Sequence, residues 1–337
     1  MMLPIAVYTL VAAALLVGSS AGPTESAPAS PAPTGVAVDT EGNVYVSDYA
    51  LDRVVKFAPD GALLGQWGAS GSTPGQFSAP FGIAVDERVV YVVDQLNNRI
   101  QKFAADGSVL AVWGSGGASA GELRTPFGVA VSGGRVYVAD FGNDRVQVFG
   151  ADGSLLGVIG SRGSGEGQFL RPTGVAIDRE GTIYVADHFN DRVQKFSAEG
   201  HFEGQLGATA ASLGAASPLG GTFTTGAATP PTTALAEAQL RRPEGIALDH
   251  DGNLWVADYG RDRVVKLASD GRLLLALGGR GSGPGEFLGP KGIAVDGLSG
   301  RVYVADTGNA RVQRFAPDGT LEAAWPMPPV SVPFAAP

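Results

Sequence analysis

The chain is 337 residues long, with 24 Lys and Arg against 33 Asp and Glu, a net charge of −9 at pH 7, 50 Gly and no Cys. The missing Cys excludes a disulfide framework and any thiolate metal site, so stability has to come from core burial. The acidic balance disfavours nucleic acid as a partner, because a phosphate-binding surface needs clustered cations. At roughly 150 residues per domain, the length fits one large domain or two to three smaller ones.

From the N-terminus, Leu3 to Val17 is apolar and uncharged, and Ser19 and Ala21 follow with the spacing of a small-residue cleavage site. Residues 1–21 therefore read as a signal peptide. The first basic residue is Arg53, so no Lys/Arg segment precedes the apolar run. The run is shorter than the ~20 residues that span a bilayer, and an uncleaved anchor is the alternative. Residues 22–32 are rich in Pro, Ser and Ala, a composition suited to a solvated tether. The expected location is secreted or extracytoplasmic, with or without a membrane anchor.

A repeat occupies residues 33–325. The motif P-x-G-[IV]-A-[VIL] starts at Pro33, Pro80, Pro126, Pro172, Pro243 and Pro290, at intervals of 47, 46, 46, 71 and 47 residues. Each copy continues into an aromatic run ending in Asp: Asp48, Asp94, Asp140, Asp187, Asp258 and Asp306. Five positions later stands Arg53, Arg99, Arg145, Arg192, Arg263 or Arg311. Within the first unit, Gly35–Asp39, Val44–Asp48, Arg53–Phe57 and Leu63–Trp67 have the composition of strands, and Asp60-Gly61 marks a tight hairpin between the last two. Four antiparallel strands in ~46 residues make a propeller blade, and a blade buries both faces only by packing between neighbours around an axis. The predicted fold class is all-β, a six-bladed β-propeller with four antiparallel strands per blade. All six units own four strands, so the ring closes by packing of the first blade on the last. A strand swap through Glu25–Ala32 is the less favoured route, and a monomer is expected.

The fourth interval departs from the period. Gly207 to Pro243 encloses 35 residues, where Gly160 to Pro172 encloses 11. The excess lies in the uncharged, Ala/Gly/Thr/Ser/Pro-rich segment 208–236, which reads as a flap over one face or as a disordered loop. Residues 326–337 form a Pro-rich tail.

This pattern resembles the NHL repeat family, whose units read P-x-G-[IV]-A-V-D, then N-[VI]-Y-V-A-D-x-x-N-x-R-[VI]-Q-x-F, then D-G. Pro126–Phe149 and Pro172–Phe196 match nearly position for position. The resemblance covers almost the whole chain after the tether and implies a six-bladed propeller whose ligand face surrounds the central channel. It also brings in the peptide-amidating lyases, which look like NHL propellers and hold zinc through histidines just before the Arg-equivalent position. Here that position reads Asp52, Asn98, Asp144, Asp191, Asp262 and Ala310, so a triad of imidazoles is absent. A ring of carboxylates could take a hard cation such as Ca²⁺; the alternative is a set of solvated acids that help turn the chain.

Two positions on the channel face vary from blade to blade inside an otherwise uniform frame. The residue between Pro and Gly is Thr34, Phe81, Phe127, Thr173, Glu244 or Lys291, and the residue after the strand-ending Asp is Tyr49, Gln95, Phe141, His188, Tyr259 or Thr307. These twelve form the expected ligand-binding surface, suited to an amphipathic ligand such as a peptide, glycan or small molecule, or belonging to a protein partner. Ordinary rim residues are the plain alternative. Six-fold recurrence of the Asp and Arg marks them as an intrablade ion pair or a loop-carbonyl clamp rather than as catalytic groups. His201 and His250 read as solvated. No cofactor or metal site is expected under the binding reading. The enzymatic alternative, a metal-assisted lactonase- or streptogramin-lyase-like activity, would draw on Glu244 and His188 with a divalent cation. On such a loop, Glu244 would ordinarily be solvated or paired with Lys291.

Overall fold

The second strand of every repeat is buried along its length, as in Val44–Asp48, Ile183–Asp187 and Val302–Asp306, save for its first residue in two blades, Val89 and Arg135. Such burial requires a packed sheet on each side. The computed structural model describes residues 29–207 and 238–329, and these form six four-stranded antiparallel sheets, each in sequential strand order. The first blade comprises Pro33–Val38, Val44–Asp48, Arg53–Phe57 and Leu63–Trp67, and the last comprises Pro290–Val295, Val302–Asp306, Arg311–Phe315 and Leu321–Pro326. Residues 1–28, segment 208–236 and most of the tail lie outside the described residues, and with them the signal-peptide and flap expectations and the tether up to residue 28. Of the stretch considered for a strand swap, residues 29–32 are described and form no strand.

Period-2 alternation sends each second strand to two different cores. In blade 1, Tyr45 joins a cluster with Ile83, Val92 and Phe103 of blade 2, while Val44 and Val46 join Ala294, Tyr303, Val312 and Trp325 of blade 6. Six such clusters fill the six spaces between blades, so the ring is closed. Closure is by packing of first blade on last: the Trp325 indole covers Gly61 and stands 6.1 Å from the Phe57 ring. Arg314 donates to the carbonyl of Pro59 across the same seam.

The repeated Asp is a hub. Asp140 accepts bonds from Arg124 N–H at 2.7 Å, Asn143 Nδ2 at 2.8 Å, Arg145 Nε at 2.8 Å and Gln147 Nε2 at 3.1 Å. All six blades make the Asp–Arg pair, at 2.6 to 3.1 Å. The same Arg145 also donates to the carbonyls of Ser119 and Glu122, so ion pair and carbonyl clamp coexist. A buried carboxylate tolerates its desolvation only with such partners.

The residue before each Arg corrects an expectation. Asp52, Asn98, Asp144, Asp191 and Asp262 do help turn the chain, but they are buried or half-buried and partnered rather than solvated. Each takes a positive φ, and each side-chain Oδ1 accepts the backbone N–H of a residue leading into the next blade: Ala79, Thr125, Arg171, Arg242 and Gly289, at 2.7 to 2.8 Å. Those residues also have positive φ. Ala310 has no side-chain acceptor with which to hold blade 1, and its backbone carbonyl accepts Met327 N–H.

Candidate functional site

The P-x-G motif is a β-bulge. In blade 1, Pro33 pairs with Asp48 but Val36 pairs with Val46, so the first strand carries one extra residue; blades 2, 4, 5 and 6 repeat this register shift. A bulge re-aims its side chains, and here it turns the residue between Pro and Gly into the channel. The neighbouring glycines let the blades meet there. A Cβ on Gly35, Gly82, Gly128, Gly174, Gly245 or Gly292 would come within 3.0 Å of the next blade's carbonyl oxygen, the last of them Thr34 O. The first strands of the repeats therefore begin at Pro, two residues earlier than the sequence reading placed them, except in blade 3, where the strand runs Val129–Ser132.

The resulting channel mouth is a cavity of about 70 Å³ lined by Thr34, Phe81, Thr173, Glu244 and Lys291, with Gly128 contributed by blade 3. The residue after the Asp starts a turn of 3₁₀ helix in blades 3 to 6 and stands beside this opening. On one side the rings of Phe81 and Phe127 lie 4.3 Å apart, Phe127 stacks on Phe141 at 4.1 Å and 17°, and Tyr49 meets Phe81 edge-on at 6.3 Å. Tyr49 is 38% exposed, and Phe127 and Phe141 are half-buried. On the other side His188 lies 6.3 Å from Tyr259. Lys291 spans the two, with Nζ 4.9 Å from the Phe81 centroid and 5.8 Å from that of Tyr259.

Glu244 departs most from its sequence reading. It is buried in a strand, makes no ion pair with Lys291, and Oε2 has no hydrogen-bond partner. Burial pushes its carboxyl up to about 7, with Lys291 opposing. His188 is buried as well, and burial pushes its imidazole down to about 4. Its Nδ1 lies 3.2 Å from the Pro243 carbonyl. Since a carbonyl can only accept, Nδ1 carries the proton of the neutral ring.

Several of the varying residues serve the seams between blades. Thr34 Oγ1 donates to Pro80 O and Phe81 O, Thr173 Oγ1 to Pro243 O and Glu244 O, and Thr307 Oγ1 to Pro33 O. Gln95 is buried with Nε2 unpartnered. His201 and His250 are exposed and lie apart from the mouth. Among the described residues, no group of three or more His, Asp and Glu converges as metal ligands.

Two cations escaped the sequence reading. Arg171 covers the Phe141 ring at 5.0 Å, and Arg242 covers exposed Phe189 at 5.7 Å. Both immediately precede the repeat Pro, where the other blades have Ala32, Ala79, Thr125 and Gly289. The same criterion of variation inside a fixed frame would have found them.

Comparison with known proteins agrees with this architecture. A family model described as a 6-bladed β-propeller matches residues 122–209, and NHL repeats match 240–267 and 287–315. A stretch of 59 residues is 49% identical to the peptidyl-glycine alpha-amidating monooxygenase of Mus musculus, covering 16% of this chain and 6% of that protein. Among solved structures, virginiamycin B lyase from Staphylococcus aureus is similar with a TM-score of 0.54 and 13% identity, over 88% of this chain and 84% of that one. A gluconolactonase from Xanthomonas campestris is similar with a TM-score of 0.55 and 18% identity, over 83% of this chain and 84% of that one. At such identities the likeness is one of fold.

Proposed function

Because this chain is a six-bladed β-propeller carrying NHL repeats, we propose that it is an exported binding module whose channel mouth recognises a peptide, a glycan or a small ligand. One observation carries the reading. The Phe81–Phe127–Phe141 run and Tyr49 place aromatic faces around an opening that also holds the Lys291 ammonium. Aromatic faces with a few convergent polar groups are what a ligand site requires, and propeller folds by themselves host unrelated functions. The test is a screen of peptide and glycan arrays with the wild-type chain and with Tyr49→Ala/Phe141→Ala/Tyr259→Ala, three side chains outside the interblade cores. Binding by the wild type and its loss in the folded variant support the reading; equal binding by both sinks it.

A second reading, a lyase or hydrolase, has one observation in its favour. Glu244 and His188 are adjacent titratable groups whose environments push them apart, a pattern of acid–base pairs. A divalent cation would need ligands beyond this pair. Turnover of lactones or streptogramins, lost in Glu244→Gln, would favour this reading over the first.

A further inference from the structure

Resting on the mouth as a binding site, we propose that it is a carboxylate receptor: Lys291 Nζ and Glu244 Oε2 hold the carboxylate of a ligand whose aromatic or apolar body lies on the Phe81–Phe127–Phe141 stack.

The size of the cavity divides the ligand in two. About 70 Å³ is far below the roughly 300–1,000 Å³ of a pocket that encloses a whole ligand, so it suits a carboxylate. The remainder has to lie outside, and Phe81 is both a wall of the cavity and the first ring of the stack.

The two polar groups are poised for an anion. Lys291 makes no hydrogen bond or ion pair among the described residues and is held by ring faces, which leave ammonium hydrogens free to donate. Glu244 lines the cavity, and its buried Oε2 has no partner. In its protonated form that oxygen is a donor lacking an acceptor, and a ligand carboxylate supplies one. A carboxylic acid donating to a carboxylate beside an ammonium makes two charge-assisted bonds.

The charge balance gives the sign of the pH dependence. Facing Glu244 are His188 from blade 4 and Lys291 from blade 6; Tyr259 of its own blade stands 6.3 Å from His188, Arg242 precedes its strand, and Asp191 acts on His188. His188 has lost its proton well below neutrality, so Glu244 sets the profile. Protonated, it leaves Lys291 as an uncompensated positive charge. Ionised, it neutralises Lys291 and repels the incoming carboxylate.

The experiment is a ligand-observed NMR titration of the whole chain with 3-phenylpropionate, 3-phenylpropionamide and 3-phenylpropylamine at pH 6 and pH 8. The acid is expected to bind at least ~10-fold more tightly than either analogue at pH 6 and to weaken up to ~10-fold by pH 8, as a group titrating near 7 demands. Lys291→Met should lose ~10-fold. Glu244→Gln retains a neutral donor, so it should bind the acid with a flat pH profile. N-acetyl-Ala-Phe run alongside separates the sources: tighter binding than the simple acid assigns the carboxylate to a peptide C-terminus, and equal or weaker binding assigns it to a free aryl acid. Preference for the amide or the amine, or affinity rising with pH, overturns the carboxylate assignment and leaves the aromatic mouth as a binding site. No binding by any probe removes both.

Discussion

Nδ1 of His188 and Oε1 of Glu244 lie 3.7 Å apart, yet the imidazole gives its proton to the Pro243 carbonyl rather than to the carboxylate. Burial drives the two groups toward neutrality from opposite sides, the acid up to about 7 and the imidazole down to about 4. Each therefore contributes its own slope to stability. Between an unfolded pKa near 4.5 and a folded one near 7, the folded chain keeps a Glu244 proton that the unfolded chain has lost. Its contribution is complete below pH 4.5 and falls by roughly 3 kcal/mol as pH rises through 7. For His188 the loss comes instead as pH falls from 6.5 through 4.

Glu244→Gln should remove the first slope. Relative to wild type, the variant should gain up to ~3 kcal/mol between pH 4.5 and pH 8. Urea unfolding at both pH values measures this, and a wild-type-to-variant difference that stays constant with pH would show that Glu244 is ionised throughout.

The Asp140 hub should be strongly coupled. Asp140→Ala strands Arg145, Asn143 and Gln147 at once and should cost about 3–5 kcal/mol. A double-mutant cycle of Asp140→Asn with Arg145→Ala should give a coupling of about 1–3 kcal/mol. Zero coupling would refute the pair.

The channel glycines should tolerate no side chain. In Gly128→Ala the new methyl meets the Thr173 carbonyl, a backbone atom of the next blade that cannot swing aside, so a loss of about 1–3 kcal/mol is expected. Gly157→Ala on an outer strand meets nothing within 4 Å and should be neutral or gain a few tenths of a kcal/mol, within the ~0.4–1 kcal/mol range for compatible sites. Thermal melts of the pair decide, and equal melting temperatures would contradict the ring contact.

The interblade latch should depend on one oxygen. Asp144→Asn keeps Oδ1 for the Arg171 N–H and tolerates a φ of 55°, so it should stay within ~0.5 kcal/mol of wild type. Asp144→Ala leaves that N–H without its acceptor and should cost about 1–3 kcal/mol. Chemical denaturation of both variants tests this, and equal losses would place the cost in the carboxylate charge, which faces Arg162 at 3.7 Å, rather than in the Oδ1 acceptor.

Much of the architecture was legible because it repeats. The Asp and Arg five apart were assigned as structural from recurrence, and all six pairs are formed. The second-strand aromatics were legible from alternation. The mouth was legible only as a list of varying positions. That list could not separate Thr34, Thr173 and Thr307, whose hydroxyls bond the adjoining blade, from Phe81, Phe127 and Phe141, which form a stack. It also omitted Arg171 and Arg242. Glu244 was misjudged because solvation depends on what stands opposite a residue, and its neighbours His188 and Lys291 lie 56 residues before it and 47 after it.

The sequence by itself determined the blade: strand alternation, the Asp–Gly turns and the Asp–Arg spacing are local features, each decided within about 46 residues. The ring decided the rest. Closing six blades brought Lys291 over Phe81, buried Glu244 and converted the presumed loop acids into latches, because these relations join groups from separate repeats and exist only when the sheets converge on one axis.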